Sequence, residues 1–243
     1  MQDAAVAGAL IVQPINHKHD HSYVKHVIDT YPDKFKAMCL ADPTLAITKA
    51  NNNLKARQEE GFVGVRFNPS LWPEGETMSN KVGSSMFKKA GNLGMPVGIM
   101  CFKGLDPHLA DIEALLSEHP KTKCIIDHMG FMYQDDTVLD SSWEKLHKLA
   151  KYPQVYVKVS AFARNSEFEY PFTDLTKHIE KLISVFGCNR LLFGSDFPFV
   201  LEEEAGGYYE NSRLLYEWGL PVSVEELDQL TSGTAEDLFG KWG

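Results

Sequence analysis

Polar residues recur at the ends of apolar runs along this chain. The stretch RLLFGSDFPF (190–199) sets Asp196 just after residues fit for a buried strand. A carboxylate there is costly unless something binds it or it has work to do. KCIIDHM (123–129) carries Asp127 and His128 near its end, and VYVKVS (155–160) brings Lys158 and Ser160, with Arg164 beyond. VGVRF (63–67) supplies Arg66, with Asn68 next. Gln13, Asn16 and His17 come at or after the end of GALIVQP (8–14), and Met100 and Lys103 at or after the end of MPVGIMC (95–101). An aspartate can take a proton from water while cationic and hydrogen-bonding groups hold a developing oxyanion. Guanidinium forks suit a substrate carboxylate.

Each residue also has a plainer reading. Arg66 can pair with an acidic neighbour at a rim, His128 can be a satisfied core histidine, and Asp196 can cap a turn. Asp127 and His128 are adjacent, so on a strand they face opposite sides. The expectation is His128 toward the mouth of the fold and Asp127 toward a helix. NHKHDH (16–21) alternates His17, His19 and His21 in a loop. It is read as a decoy for a metal site, with His17 alone facing the mouth. His26, His108, His119, His147 and His178 fall on expected helices as solvent-facing or cap-like residues.

The elements that must position these groups form one repeating pattern. Seven β-rich runs lie at 8–14, 35–41, 63–67, 95–101, 123–129, 155–160 and 191–196, several of them apolar at nearly every position, as strands covered on both faces should be. Helical segments fill the gaps. One starts at Asp106-Pro107, a capping residue and a first-turn proline, with Leu109, Ile112, Leu115 and Leu116 on one face. Another runs from 173 to 186 and stops at Gly187. Strand and helix in alternation mean a parallel sheet. The 243 residues are close to the roughly 250 of an α/β barrel, whose chemistry sits at the C-terminal strand ends. A (β/α)8 barrel wants eight units, so seven mean an open sheet or a barrel lacking its first strand. No Pro/Gly/Ser linker interrupts the chain, so 1–243 reads as a single domain.

A net charge of −9 argues against a nucleic-acid partner. No apolar stretch reaches the ~18 residues of a membrane span. No GxGxxG or GxxxxGK[ST] follows a strand, which removes a nucleotide-binding flavodoxin-like reading. Cys39, Cys101, Cys124 and Cys188 are scattered, with no CxxC, as buried thiols of a reducing compartment would be. The N-terminus lacks a basic n-region. Cytoplasmic residence is expected, with an organellar transit peptide upstream of Met1 left open.

GALIVQPINH, GVRFNP, PVGIMCFKG, CIIDHMG, VYVKVSAFAR and RLLFGSDFPF stand in the order found in the amidohydrolase-related proteins. The chain resembles that branch of the amidohydrolase superfamily, with 2-pyrone-4,6-dicarboxylate lactonase and sugar lactonases, over almost its whole length. The resemblance implies a (β/α)8 hydrolase whose strands two to eight are the seven visible runs. It makes Asp196 the general base that activates water and His128 the histidine that polarises the scissile carbonyl or binds metal. Arg66 and Arg164 would hold substrate carboxylates, and His17 would stand near the mouth. Asn68 and Ser160 complete the expected substrate-binding set. Three departures stand out. The His-x-His pair of the family's first strand is absent, Met100 replaces a strand-five histidine, and Phe197-Pro198-Phe199 stands where Trp-Pro-His is common. Only His128 and Asp196 then remain as metal ligands, short of the three usual for catalytic zinc.

The reading is therefore a metal-independent hydrolase in which water attacks a lactone or similar carbonyl compound bearing a carboxylate, with a divalent metal such as zinc on His128 and Asp196 left open. The alternative is a catalytically impaired relative that binds a small anion or a protein. A small-molecule substrate is expected, and a homo-oligomer stays open. With the first strand missing, 8–14 and 191–196 become apolar edges. A gap beside Asp196, marginal stability and self-association are then expected.

Overall fold

The apolar runs form strands where the sequence places them, but most strands stop before their polar ends. The computed structural model describes Met1 and residues 4–134, 137–138 and 140–243, giving backbone alone for 133, 134, 137, 138 and 140. In chain order come β1 (Ala9–Val12), α1 (Ser22–Thr30), β2 (Phe35–Leu40), α2 (Ile47–Glu59), β3 (Gly64–Phe67) and α3 (Lys81–Asn92). They are followed by β4 (Val97–Ile99), α4 (Leu109–Glu118) and β5 (Cys124–Ile126). β6 (Tyr133–Gln134) and β7 (Thr137–Val138) make an antiparallel pair of their own. Then come α5 (Asp140–Lys148), β8 (Val155–Val159), α6 (Thr176–Phe186), β9 (Leu191–Phe193), α7 (Tyr208–Glu217), α8 (Val224–Asp228) and α9 (Thr234–Phe239).

Seven strands form one sheet in the order β1-β2-β3-β4-β5-β8-β9, and the registers β1/β2, β2/β3, β3/β4 and β8/β9 are all parallel. This is the (β/α) barrel type of fold with seven of its strands. Two compact units divide the chain. The first holds residues 7–100, 108–125 and 241–243, the second 1–6, 101–107 and 126–240.

In the first unit the strand side chains Met38, Leu40, Val65, Phe67, Val97 and Ile99 are at most 1% exposed. Val24, Leu54, Phe87 and Leu115 from the helices are buried as deeply. Each such burial contributes about 1.5–3 kcal/mol, which is why these near-continuous apolar runs form central strands. β1 differs: all four of its residues are only half-buried, and among the described residues it pairs with β2 alone. Trp242 covers its start. A Cβ on Gly8 would fall 1.9 Å from the indole, so only glycine lets the ring lie there. The Lys36 ammonium sits 5.3 Å from the ring centre on the same side chain.

In the second unit β8 alternates. Val155, Val157 and Val159 take one face, and Lys158 and Ser160 the other. β9 is the corrected edge. Leu191 and Leu192 are 0% and 2% exposed, because the π-helical turn Gln229–Gly233 and α9 pack onto the strand. Thr234 Oγ1 fastens that turn by donating to the Cys188 carbonyl at 3.0 Å. β1 is thus half-buried along its whole length, whereas β9 is half-buried only at Phe193. α6 ends at Gly187 as expected. Asp106 does not cap α4, which starts only at Leu109; its carboxylate takes Ser142 Oγ at 3.1 Å and the Lys145 ammonium. All four cysteines are buried free thiols, and burial pushes Cys39 up to about 12. Among the described residues no helix is long and apolar enough to cross a membrane.

Candidate active site

The strand-alternation argument for Asp127 and His128 fails because β5 ends at Ile126. Asp127–Gly130 forms a tight turn, with His128 at φ 54° and Met129 at φ 54°. Of the eight non-glycine residues with positive φ among those described, five (His128, Met129, Phe131, Ala161 and Asp196) stand in the turns after β5, β8 and β9. Left-handed backbone at such residues costs on the order of 1–3 kcal/mol each and persists only where the surroundings enforce it.

These turns bring two predicted site residues, His128 and Arg164, onto the carboxylate of a third, Asp196. His128 Nε2 lies 3.7 Å from Asp196 Oδ1, and Arg164 Nε lies 3.9 Å from Asp196 Oδ2. Neither separation is a hydrogen bond, and each is of a size that a water or a substrate atom can bridge. The Asp196 side chain is 15% exposed and that of His128 7%, so the pair is sheltered but reachable. Ser160 Oγ stands 2.8 Å from His128 Nδ1 and fixes the plane of the ring. Phe131 packs against the ring at 4.9 Å between centres.

Arg164 is held from three sides. Its guanidinium lies 4.1 Å from the centre of the Phe199 ring, and Nη2 is 4.0 Å from Glu202 Oε1. Beneath His128 the buried Asp127 carboxylate pairs with the Lys158 ammonium, so Asp127 faces a strand residue and not a helix. Gly194 permits this layering. A Cβ there would come within 3.1 Å of Ser160 Cβ and 3.2 Å of Lys158 Cδ. Arg164, Ser195, Asp196, Phe199 and Glu202 wall a shallow cleft that opens to solvent.

The remaining predicted residues belong to the first unit. Arg66 is half-buried on β3, opposite Leu40 and Gly98 in the neighbouring strands. The Asn68 side-chain oxygen accepts from Ser70 N–H at 3.1 Å and Ser70 Oγ at 2.7 Å, so it caps the turn Pro69–Leu71. His17 is exposed and stacks on Tyr23 at 5.8 Å. His21 is buried and structural: its Nδ1 meets the His19 carbonyl at 2.8 Å, and its Nε2 accepts the Leu40 N–H at 3.0 Å. His19 takes the Ala41 carbonyl and Asp42. His26 is exposed and His108 and His119 stand at the two ends of α4, whereas His178 is half-buried and stacks on Trp143 at 4.3 Å. Sequence reasoning passed over Asn165 and Glu202. It named Asp127 and Lys158 at strand ends without joining them.

A family model described as Amidohydrolase matches residues 1–241. The chain belongs to the amidohydrolase family. This amidohydrolase-family chain is 32% identical over 143 residues to an L-fucono-1,5-lactonase of Burkholderia multivorans, a match covering 54% of the chain and 47% of that protein. It therefore spans about half the length of that curated relative. A solved structure from Acinetobacter baumannii, described as a probable 2-pyrone-4,6-dicarboxylic acid hydrolase with citric acid bound, superposes on this chain. Its TM-score is 0.78 at 20% identity, over 96% of this chain and 84% of that one. An amidohydrolase from Burkholderia multivorans with bound zinc gives 0.80 at 19% identity, over 99% and 86%. Both likenesses establish the shared barrel fold.

The zinc of that neighbour raises the question of fit. His128 and Asp196 are two donors 3.7 Å apart, and the second Asp196 oxygen faces a guanidinium. Among the described residues no group of three or more His, Cys, Asp or Glu is arranged to hold a metal ion. A catalytic zinc takes about three protein ligands and keeps an open position. The donors among the described residues do not fit that requirement.

Proposed function

We propose that this chain is a hydrolase that directs water onto a lactone or a similar carbonyl compound bearing a carboxylate, with Asp196 as general base. The observation that carries the reading is the approach of His128 and Arg164 to opposite oxygens of Asp196. In the proposed step Asp196 takes a proton from water as the water oxygen bonds to the carbonyl carbon. His128, oriented by Ser160, polarises the carbonyl oxygen as negative charge develops on it. The ester oxygen then leaves and takes the proton that Asp196 received from water, opening the ring and restoring the carboxylate. Arg164 turns its fork to the substrate carboxylate, replacing part of its contact with Glu202. The proposed step calls on no metal: among the described residues His128 and Asp196 offer two donors at this point, short of the three or so of a catalytic zinc.

The test is a panel of carboxylated and neutral lactones, assayed with and without a chelator. Turnover of carboxylated lactones that survives chelation and is lost in Asp196→Asn is the expected result. Activity abolished by chelation sinks the metal-independent part. Binding of small carboxylates without turnover of any lactone would favour a binding protein over an enzyme. Arg66→Lys, assayed alongside, tells whether the arginine of the first unit takes part.

A further inference from the structure

We infer that Asn165 is a positioning residue that sets the spacing of His128 and Arg164 about Asp196, an inference that rests on the reading of Asp196 as the base. Asn165 is 0% exposed, and its carboxamide is used at both ends. The oxygen accepts the Met132 N–H at 2.8 Å. The nitrogen donates to the Ala161 carbonyl at 2.9 Å and to the His128 carbonyl at 3.3 Å. One side chain thus ties the turn after β5 to the turn after β8. Two of the carbonyls it binds belong to left-handed residues, His128 and Ala161.

The consequence reaches both cations. Asn165 follows Arg164 directly, and its own N–H donates to the Phe162 carbonyl at 2.9 Å, so Arg164 is anchored in the turn that Asn165 closes. At the other end Asn165 holds the backbone of His128 while Ser160 holds the ring. The histidine is therefore fixed at backbone and ring by two residues of the segment that carries Arg164. The two groups flanking Asp196 share one brace, and that brace touches neither the carboxylate nor the cleft.

A buried asparagine that merely filled a turn would lower stability and leave the folded chain's chemistry alone. Asn165→Asp separates the two roles in the full chain. It keeps the volume and the acceptor for Met132, but sets an oxygen against two carbonyl oxygens and so parts the turns. Three quantities are measured: kcat and KM on a lactone the unaltered chain hydrolyses, the ring-nitrogen chemical shifts of His128 at fixed pH, and the same substitution in a His128→Gln background. The expected result is a kcat lowered roughly tenfold or more, as misplacement of reacting groups produces. His128 ring signals should be displaced, and little further loss should appear in the double variant, because both changes act through one group. Unchanged kcat and unchanged ring signals in a folded variant overturn the inference, as does a full, independent loss on top of His128→Gln. Asn165→Ser is read in the same way if the aspartate variant does not fold, and failure of both to fold marks a scaffold residue and overturns it. The ring signals need no turnover, so they decide this point even if Asp196→Asn keeps its activity and removes the base.

Discussion

Two places in this molecule gather histidine and carboxylate, and they use them in opposite ways. The loop at 16–21 holds His17, His19 and His21 within six residues, beside Asp20. The turns after β5, β8 and β9 hold one histidine, His128, and one carboxylate facing it, Asp196. In the loop, His21 spends both ring nitrogens on backbone groups and buries its ring against Phe62. In the turns, the His128 ring is held by a side chain at Nδ1 and points Nε2 at the carboxylate. Density of ionisable residues along the chain therefore says little. A site arises where backbone in costly conformations turns side chains toward one another across different strands.

The largest effect is expected at Asp196. Asp196→Asn should lower kcat by about two orders of magnitude or more, because it removes the proton acceptor and keeps the shape. Melting temperature should change little. A variant that keeps most of its turnover takes Asp196 out of the mechanism and leaves the turn cluster as architecture.

The next test crosses the two places directly. His128→Gln should cut kcat roughly ten- to a hundredfold with a small change in stability. His21→Gln should do the reverse. It should leave kcat alone and cost about 1–3 kcal/mol at pH 7, the range for a disturbed buried hydrogen-bond network. Activity assays and chemical denaturation of both variants suffice. If His21→Gln loses turnover while remaining folded, the loop is no mere staple.

The architecture was legible because apolar period and length state it directly. Seven runs became seven strands and α6 stopped at Gly187 as expected, while β5 and β9 ended at Ile126 and Phe193, short of the polar ends of their runs. Asp196, His128, Ser160 and Arg164 were legible because polar residues after buried strands need a reason to be there. What escaped was set by backbone conformation. The left-handed turn at His128 and Met129 cannot be read from DHMG, whose residues favour other regions, so alternation along a strand gave Asp127 the wrong neighbour. Asn165 escaped because its partners are backbone carbonyls and an N–H of residues up to 37 positions away, which leave no trace in side-chain pattern. The cover over β9 escaped because it is built from the tail beyond 200, where the motifs are weak.

A smaller effect is expected at Arg164. Arg164→Lys keeps a positive charge beside Asp196 but loses the planar fork and most of the stacking on Phe199. KM for carboxylated lactones should rise by about tenfold, with a smaller effect on neutral ones, since a lost bidentate contact is worth on the order of 1.4 kcal/mol. Equal effects on charged and neutral substrates would show that Arg164 tunes Asp196 and does not hold the substrate.

The smallest expected effect concerns pH and the loop. Burial is the first cause that holds the His21 imidazole below its ordinary value, and the neighbouring Arg57 charge adds to it, against the His19 carbonyl and Asp20. The Leu40 N–H also needs an unprotonated Nε2 to accept it. The folded chain thus favours neutral His21, whereas the unfolded chain protonates it near the ordinary value of about 6.5. Below that pH the unfolded state binds more protons, so stability falls as pH drops; above it His21 contributes no slope. His21→Gln lacks the titrating ring but keeps an acceptor and a donor. The stability gap between the unaltered chain and this variant should therefore be widest at pH 7 and above, and should narrow as pH falls from 7 to 5. Taking the difference between two denaturation series cancels the other carboxylates and histidines, which titrate in both. A gap that stays constant over that range would mean that His21 accepts a proton as readily in the fold as out of it, and the loop would then be as free to respond to pH as a surface.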